Sequence, residues 1–235
     1  MGRGLTLTEI REGIHDAWAV ALGLVPLGLA FGLLMTQVGF AWWWAPIFSI
    51  LIYAGSMEFL AINLVSAGVG PVSAAITGFM VNFRHIFYGL TFPRDRIRSR
   101  LGRAYSTYAL TDESYAIVSA RSSESLSGSR LLSIQVFCQS VWVFSGIVGA
   151  VVGEVIPSSI QGMEFALVAL FVVLAWETFQ NNRDLSLPLI AGGLAVLGAL
   201  IIPGQLLMVA LSAYFLVLIA RYFSPGLDRK LELKL

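Results

Sequence analysis

The sequence has 235 residues, of which 57% are hydrophobic and only 12% are charged, and its mean hydropathy is +0.80. About one quarter of the residues of a soluble domain are charged, so this composition indicates an integral membrane protein. The formal net charge of +1, without a basic patch interleaved with aromatic residues, argues against nucleic-acid binding, and the single cysteine excludes an intrachain disulfide.

Seven segments are apolar enough to predict membrane-spanning helices, which need about 20 mostly apolar residues each. They lie near residues 17–37, 43–67, 71–91, 131–153, 163–180, 187–202 and 205–222. Their length, without the alternating pattern of lipid-facing strands, predicts an all-α integral membrane protein. We therefore expect a polytopic helical bundle in which residues 1–235 form a single transmembrane domain.

A less apolar segment, residues 104–120, lies between the third and fourth predicted spans. It carries Asp112 and Glu113 at its centre. Three structures stay open for this segment: a re-entrant helix, an interfacial helix, or an eighth span.

Arginine residues predict which loops face the cytoplasm. The loop of residues 93–103 and the segment that follows it contain Arg94, Arg96, Arg98, Arg100, Arg103, Arg121 and Arg130. Because basic loops stay inside, we expect this arginine loop in the cytoplasm, and four later crossings then return the C-terminal tail to the same side.

The side of the N-terminus stays open. Three full crossings before the arginine loop place the N-terminus outside, whereas it lies inside if one early segment turns back within the membrane. Gly55 and Ser56, beside Glu58, are candidates for a break in the second span, and Pro26 is a candidate in the first.

Glycine spacing suggests a repeat. Gly28 and Gly32 are spaced like Gly149 and Gly153, and each pair lies in a segment that opens a block of three spans. Inverted three-helix repeats over residues 17–91 and 131–202 would explain this, as in many secondary transporters. The alternative is that small residues let helices approach closely in any bundle.

Ionisable residues inside the apolar segments are the candidate functional residues, because a charge at membrane depth is costly unless it has a partner or a role. They are Glu58, Arg84, His85, Asp112, Glu113 and, near the end of the fifth span, Glu177. Arg84 and Tyr88 share a helix face with neighbouring His85. The alternatives are snorkelling for Arg84, a structural role for His85, a solvated helix cap for Asp112 and Glu113, and an interfacial position for Glu177.

Enzyme motifs are missing from the sequence. It has no G-x-S-x-G elbow, no H-E-x-x-H zinc motif and no P-loop. We therefore expect no enzyme activity, no catalytic residues, no metal site and no cofactor.

Four motifs resemble those of the AzlC family of membrane proteins. They are LVPLGLAFGLL at residues 24–34, IYAGSMEF at 52–59, FRHIFYG at 83–89 and ALTDESYA at 109–116. In that family, Y-A-G-x-x-Q-F, R-H-x-x-Y-G and L-T-D-E elements occur in this order. The resemblance extends from about residue 10 to residue 222.

The resemblance implies an exporter of branched-chain amino acids in the plasma or inner membrane, working with a small AzlD-type membrane subunit. The family elements fall on Tyr53, Ala54, Gly55 and Phe59, on Arg84, His85, Tyr88 and Gly89, and on Thr111, Asp112 and Glu113. Glu58 departs from the pattern, because the family usually has glutamine there. This departure leaves substrate charge and proton coupling open.

An amino-acid zwitterion needs a cation for its carboxylate and an anion or carbonyl groups for its ammonium. We expect Arg84 to face the carboxylate, and Glu58 with Tyr53 or Asn63 to face the ammonium. We expect Asp112 and Glu113 to form an inner gate paired with Arg84 or the arginine loop, and Asn82, His85 and Tyr88 to line the same polar stripe. A channel or permease for another small solute and a non-transporting scaffold subunit are the alternative functions.

Overall fold

A computed structural model describes residues 7–121, 126–156, 172, 175–176, 179–180, 183–202 and 206–234. These residues form eleven α-helices and no β-strand, which confirms the predicted all-α fold. The helices are α1 Leu7–Gln37, α2 Trp44–Leu51, α3 Gly55–Ser66, α4 Pro71–Asn82, α5 Arg84–Thr91, α6 Arg100–Tyr108, α7 Asp112–Ser119, α8 Gly128–Val155, α9 Ser186–Ile201, α10 Leu206–Phe223 and α11 Pro225–Leu231.

The chain divides into two compact units. Unit 1 comprises Met1–Asn63 and Arg84–Ala166, and unit 2 comprises Leu64–Phe83 and Leu167–Leu235. The candidate site residues are divided unequally between them, since Asn82 belongs to unit 2 and all the others belong to unit 1.

Among the described residues, α1 and α8 are long and apolar enough to cross a membrane by themselves. Helix α9 is apolar but shorter, and α10 is followed by a bend of 116° into α11. The first and fourth predicted spans are thus present as long helices. The total of seven spans stays a prediction, because most of the fifth span, residues 163–180, and Glu177 within it lie outside the described residues.

Two predicted spans consist of two helices each. The second is interrupted between α2 and α3, where Tyr53 has a φ of +41°, a left-handed conformation that a bulky residue rarely adopts. The third is interrupted only at Phe83, which keeps a right-handed helical conformation between α4 and α5. Pro26, the other candidate break, lies inside an unbroken α1. The first interruption lies directly before Gly55 and Ser56, the predicted candidates for a break, and the second lies between the polar residues Asn82 and Arg84.

Helices α1 and α8 are the centre of unit 1 and lie parallel to each other. Gly13 of α1 lies beside Arg130 and Ser133 near the start of α8, whereas Thr36 lies beside Gly153 near its end. Both helices therefore begin at one end of the pair, which we call the first end, and both finish at the second end.

Glycines set the close approach of α1 and α8. A Cβ added at Gly32 would clash with the backbone of Gly146 and Ala150, and one at Gly149 would clash with the backbone of Leu29. Gly28 and Gly153 lie in the same interface. The repeated glycine spacing thus has the packing role that the sequence left as the alternative, and the three-helix repeats predicted from it are not confirmed.

A charged cluster holds the first end of the pair. Arg130 donates to Asp16 over 2.6 Å and to Glu12 over 3.0 Å, and Arg121 lies 3.1 Å from the other Asp16 oxygen. These contacts place the N-terminal part of α1 at the same end as Arg121 and Arg130. The start of α1 and this basic segment therefore lie at the same end of the pair, which favours an early segment that turns back within the membrane.

Helices α6 and α7 form a hairpin that enters and leaves at the first end. Gly102 lies beside Leu132 near the start of α8, and Arg121, just after α7, pairs with Asp16. The tip of the hairpin is deeper, because Gln135 donates to the backbone oxygen of Ala109 over 3.2 Å. Of the three structures open for residues 104–120, this geometry supports the re-entrant one.

In unit 2, α10 packs against both α4 and α9. A buried polar cluster joins the start of α9 to the end of α10 and to the C-terminal tail. Arg221 donates to Asp184 and to Ser186, each over 2.7 Å, and Asp184 also accepts the backbone N–H of Leu233 over 3.0 Å. These hydrogen bonds hold the C-terminal tail against the start of α9.

Candidate functional site

The candidate site is built on two breaks between helices in unit 1. One break, between α2 and α3, presents Tyr53, Ser56 and Glu58. The other, between α6 and α7, presents Tyr108, Asp112 and Glu113. Arg84, at the start of α5, contacts side chains from both.

Glu58 is completely buried in the first turn of α3. Its carboxylate accepts a hydrogen bond from Ser49 over 2.7 Å, and the indole of Trp142 donates to its two oxygens over 2.9 and 3.1 Å. A Cβ at Gly55 would lie 3.2 Å from the ring of Trp142, so glycine gives the indole room beside Glu58. These donors are neutral, which is unusual for a buried acid at membrane depth.

Arg84 and Asp112 form a two-point ion pair. Arg84 Nε donates to Asp112 Oδ1 over 2.7 Å, and a terminal guanidinium nitrogen of Arg84 donates to Asp112 Oδ2 over 2.5 Å. The same terminal nitrogen lies 3.4 Å from the hydroxyl of Ser56. Each side chain of the pair is 37% exposed, so the protein does not fully enclose the pair. The predicted pairing of Arg84 with an acid of the L-T-D-E element is therefore present, and its role as a gate stays a prediction.

The sequence T-D-E-S places Asp112 by local hydrogen bonds. Thr111 is the N-cap of α7, and it forms a capping box with Ser114. Asp112 is then the first helical residue, where a carboxylate also interacts favourably with the helix dipole. Glu113 follows it and is half-buried.

Tyrosines extend the site along α5 and α7. The Tyr88 ring stacks on Tyr115 of α7 with centroids 4.3 Å apart. The ring of His85 lies 5.4 Å from that of Tyr88. The predicted polar face of Arg84, His85 and Tyr88 is thus directed towards the α7 side of unit 1.

The two breaks touch each other directly. The Tyr108 hydroxyl donates to the backbone oxygen of Ile50, and the rings of Tyr53 and Tyr108 lie 5.9 Å apart. Gln139 of α8 donates to the Tyr108 hydroxyl over 2.8 Å and accepts from Tyr105 over 2.7 Å. A mostly apolar groove of about 640 Å³ lies beside this contact, lined by Ile50, Tyr105, Tyr108, Gln139, Ser140, Val143, Phe144 and Ile147.

Two predicted residues lie apart from this cluster. Asn63 is exposed on α3, more than one turn beyond Glu58, and the structure shows no contact of it with the Glu58 carboxylate. Asn82 ends α4 in unit 2, where its amide donates to the backbone oxygen of Gly78 over 3.1 Å.

Sequence reasoning missed Ser49, Trp142, Gln135 and Gln139. The polar residues Gln135, Gln139 and Trp142 recur on one face of α8, at spacings of four and three residues. A polar stripe within a long apolar helix was therefore visible in the sequence. Ser49 gave no such signal, since a single serine in an apolar run is common. The described residues hold no cluster of three or more potential metal ligands.

Comparison with known proteins identifies relatives over most of the chain. The family described as AzlC protein matches residues 19–156. An uncharacterized membrane protein of Helicobacter pylori strain J99 is 32% identical over 76% of this chain and 79% of its own length. The inner membrane protein YgaZ of Escherichia coli is 31% identical over 74% of this chain and 75% of its own, and the branched-chain amino acid transport protein AzlC of Bacillus subtilis is 29% identical over 78% and 73%. No solved structure matches the chain.

Proposed function

This chain belongs to the AzlC family, and on that premise we propose that it exports branched-chain or other aliphatic amino acids across the cell membrane. In this proposal it works with a small AzlD-type membrane subunit, and export is coupled to protons. The contact that carries the proposal is the accessible ion pair of Arg84 with Asp112, close to the buried acid Glu58.

Arg84 supplies the site for the substrate carboxylate. A guanidinium group recognises a carboxylate through two parallel hydrogen bonds, as it does with Asp112 in this structure. A substrate carboxylate that takes the place of Asp112 keeps Arg84 paired and releases α7 from α5. Substrate binding and opening of the inner gate are then one event.

Glu58 supplies the negative group of the site and the proton site. Its described hydrogen-bond donors, Ser49 and Trp142, are neutral, so a substrate ammonium or a proton can neutralise its charge. The free-energy cost of a buried charge at membrane depth disappears when either one binds. Exchange of a proton for the ammonium on one carboxylate couples the two fluxes.

The apolar surface of the groove contacts the substrate side chain and determines which side chains fit. Val143, Phe144 and Ile147 line the groove beside the contact of the two helix breaks. A hydrophobic pocket separates substrates that differ by one methylene by only about 1 to 3 kcal/mol. We therefore expect leucine, valine and methionine all to be substrates.

The test is efflux of labelled leucine, valine and methionine from preloaded vesicles that contain the chain, with and without a co-expressed small partner, at two internal pH values. We expect efflux that needs the partner and changes with pH. Arg84→Lys removes the two-point hydrogen bonding and should lower leucine efflux about tenfold or more. Arg98→Lys, the same change at an exposed arginine of the arginine loop, is the matched control and should leave efflux unchanged.

Other functions give other results. A channel for an uncoupled solute gives flux that is insensitive to the proton gradient, and Glu58→Gln is then silent. A scaffold subunit gives no efflux of the three amino acids with the complex intact, and Arg84→Ala then changes assembly alone. Either result would overturn the proposed function.

A further inference from the structure

Two segments of the chain share a sequence pattern. Residues 53–62 read YAGSMEFLAI and residues 108–117 read YALTDESYAI, so both follow Y-A-x-S/T-x-E-x-x-A-I. Five positions are identical, and a sixth has Ser56 in one copy and Thr111 in the other.

Both segments occupy the same kind of place in the structure. Each runs from the break after a short helix into the next helix, from α2 to α3 and from α6 to α7, although the helix boundaries differ by about two residues. Glu58 and Glu113 lie in the first turns of α3 and α7. Ile62 and Ile117, which end the pattern, are both buried.

The two breaks are reached from opposite ends of the α1–α8 pair. The hairpin of α6 and α7 enters and leaves at the first end, as described above. The chain enters α2 at the second end, because the Trp42 backbone N–H donates to Glu154 near the end of α8 over 3.2 Å. The tips then meet between the ends, where Tyr108 contacts Ile50 and Tyr53.

The direction of α3 follows from the number of times that the chain passes from one end of the α1–α8 pair to the other. Helix α1 finishes at the second end, whereas Arg96, after α5, lies at the first end, where it donates to the Leu126 backbone oxygen over 2.7 Å. The chain between them therefore changes ends an odd number of times. Of the pairs α2–α3 and α4–α5, one crosses and the other returns. A return needs a reversal of the chain. Between α2 and α3 a reversal is indicated by the left-handed Tyr53 and by the hydrogen bond from Ser49 to Glu58, because nine residues of a continuous helix would hold these side chains about 13 Å apart. Phe83, between α4 and α5, continues the helical conformation.

We propose that residues 17–66 and 71–120 form an inverted internal repeat, in which a long apolar helical segment is followed by a re-entrant helix pair, and that the two helix pairs are the two gates of one solute path. The gate role rests on the proposed function, whereas the repeat does not. These halves differ from the blocks 17–91 and 131–202 that glycine spacing suggests.

The repeat assigns equivalent positions to two acids. Glu58 belongs to the α2–α3 gate and Glu113 to the α6–α7 gate, and the two are close enough to interact electrostatically. The other ionisable groups that face this region are Tyr53, Arg84, Asp112, Tyr105, Tyr108 and Cys138. Arg84 is hydrogen-bonded to Asp112 of one gate and lies 3.4 Å from Ser56 of the other. A movement of either gate would therefore change a contact of Arg84 that the other gate shares.

The repeat is tested by the sides on which single cysteines react. The only native cysteine is buried Cys138, so Cys138→Ser gives a background without a thiol. Trp43→Cys and Ala67→Cys bracket the α2–α3 pair, and Arg98→Cys and Ser119→Cys bracket the α6–α7 pair; all four positions are exposed. A membrane-impermeant maleimide is applied to intact cells and to inverted vesicles of the full chain with its partner.

We expect positions 43 and 67 to react from one side only, and positions 98 and 119 to react from the other side only. Reaction of 43 and 67 from opposite sides would make α2–α3 a full crossing and overturn the inverted repeat. Reaction of 98 and 119 from opposite sides would overturn it equally. Transport is not needed for this measurement, so it stands if the substrate assignment fails.

The gates are tested by the effect of leucine on thiol reactivity at the two tips, in the vesicles used for efflux. Ser56→Cys and Thr111→Cys are equivalent positions in the two copies. We expect leucine to change their reaction rates in opposite directions, severalfold at each tip. Changes in the same direction, or unchanged rates while leucine efflux proceeds, would overturn the gate role. If there is no efflux, the proposed function fails. The repeat is then still tested by the sides from which the four cysteines are labelled.

Discussion

Glu58 is buried and Arg84 is half-buried, and the two side chains have different kinds of hydrogen-bond partner. Arg84 is matched by a carboxylate with ideal two-point geometry, so its charge is balanced within the protein. Glu58 is matched by a hydroxyl and an indole, which satisfy its oxygens without balancing its charge. A carboxylate held in this way can exchange partners, and an ion pair of good geometry is suited to holding a gate closed.

Replacement of Glu58 by glutamine tests whether this acid binds the proton. Glu58→Gln keeps the size of the side chain and the hydrogen bond from Trp142, but it removes the titrating group. We expect leucine efflux to lose its dependence on internal pH, as measured by initial rates over a series of pH values. Glu154→Gln, the same change at an exposed carboxylate of α8, should leave the pH dependence intact. A pH profile that survives in Glu58→Gln would assign proton coupling to another residue.

At the scale of single residues, the sequence identified the acids and the arginine but not their neutral partners. Glu58 and Arg84 stand out because ionisable groups are rare in apolar segments. Trp142 is 84 positions from Glu58, and an indole in an apolar helix is unremarkable before folding brings it to a carboxylate. Asn63, predicted to face the substrate ammonium together with Glu58, is five residues further along α3, and on a helix this spacing places two side chains on different faces.

At the scale of helices, unit 1 depends on the close packing of α1 against α8. Gly32 and Gly149 allow this packing because their missing side chains let the backbones meet. The spacing of these glycines was visible in the sequence. Their partners were not, because the pattern fits a repeat as well as an interface.

Replacement of Gly32 by alanine should separate these helices. The added Cβ would clash with backbone atoms of Gly146 and Ala150, which cannot rotate away as side chains can. Overpacking of this kind costs about 1 to 3 kcal/mol, so we expect a lower midpoint of thermal unfolding in detergent. Gly23→Ala is the matched control in the same helix, since a Cβ there meets nothing within 4 Å. Equal midpoints for both variants would show that the interface is not closely packed.

The buried cluster of unit 2 should make stability depend on pH. Although burial opposes it, hydrogen bonds from the Leu233 N–H, Ser186 and Arg221 hold the pKa of Asp184 below its ordinary value. Because the folded protein favours the charged form, Asp184 stabilises it at a pH above the pKa of the unfolded chain, about 4. That contribution is lost as the pH falls towards the folded pKa.

The measurement is thermal unfolding in detergent for the wild type and Asp184→Asn, from neutral pH to below pH 4. The variant should be less stable at neutral pH, by roughly 3 kcal/mol, because Arg221 loses a buried partner. The difference between the two proteins should shrink as the pH is lowered. Asp95→Asn, at an exposed aspartate, should follow the wild type throughout. A difference that stays constant with pH would show that the Asp184 charge does not stabilise the fold.

At the scale of the whole molecule, the class of protein was predictable and its path through the membrane was not. Composition indicates a membrane protein, and the length of the apolar segments indicates that it is all-helical, because each helix has to cross the apolar core of the lipid bilayer. The path depends on where short helices end, and α2 ends at Leu51, just before Tyr53, within an apolar run of the sequence. Counting apolar segments as crossings therefore left the side of the N-terminus undecided.

The parallel packing of α1 and α8 favours one of the two sides. Glu12 and Asp16 near the start of α1 pair with Arg130 at the start of α8, so the N-terminus shares the side of the arginine-rich segment. Since basic loops stay in the cytoplasm, we expect the N-terminus to be cytoplasmic. A reporter that fluoresces only in the cytoplasm, fused to the N-terminus, should be bright, and one fused after Val38, at the other end of α1, should be dark. The opposite pattern would mean either that the basic segment is outside or that α1 and α8 are antiparallel. Spin labels at Leu7 and Ser129 of the full chain separate these causes, because parallel helices keep the two labels close.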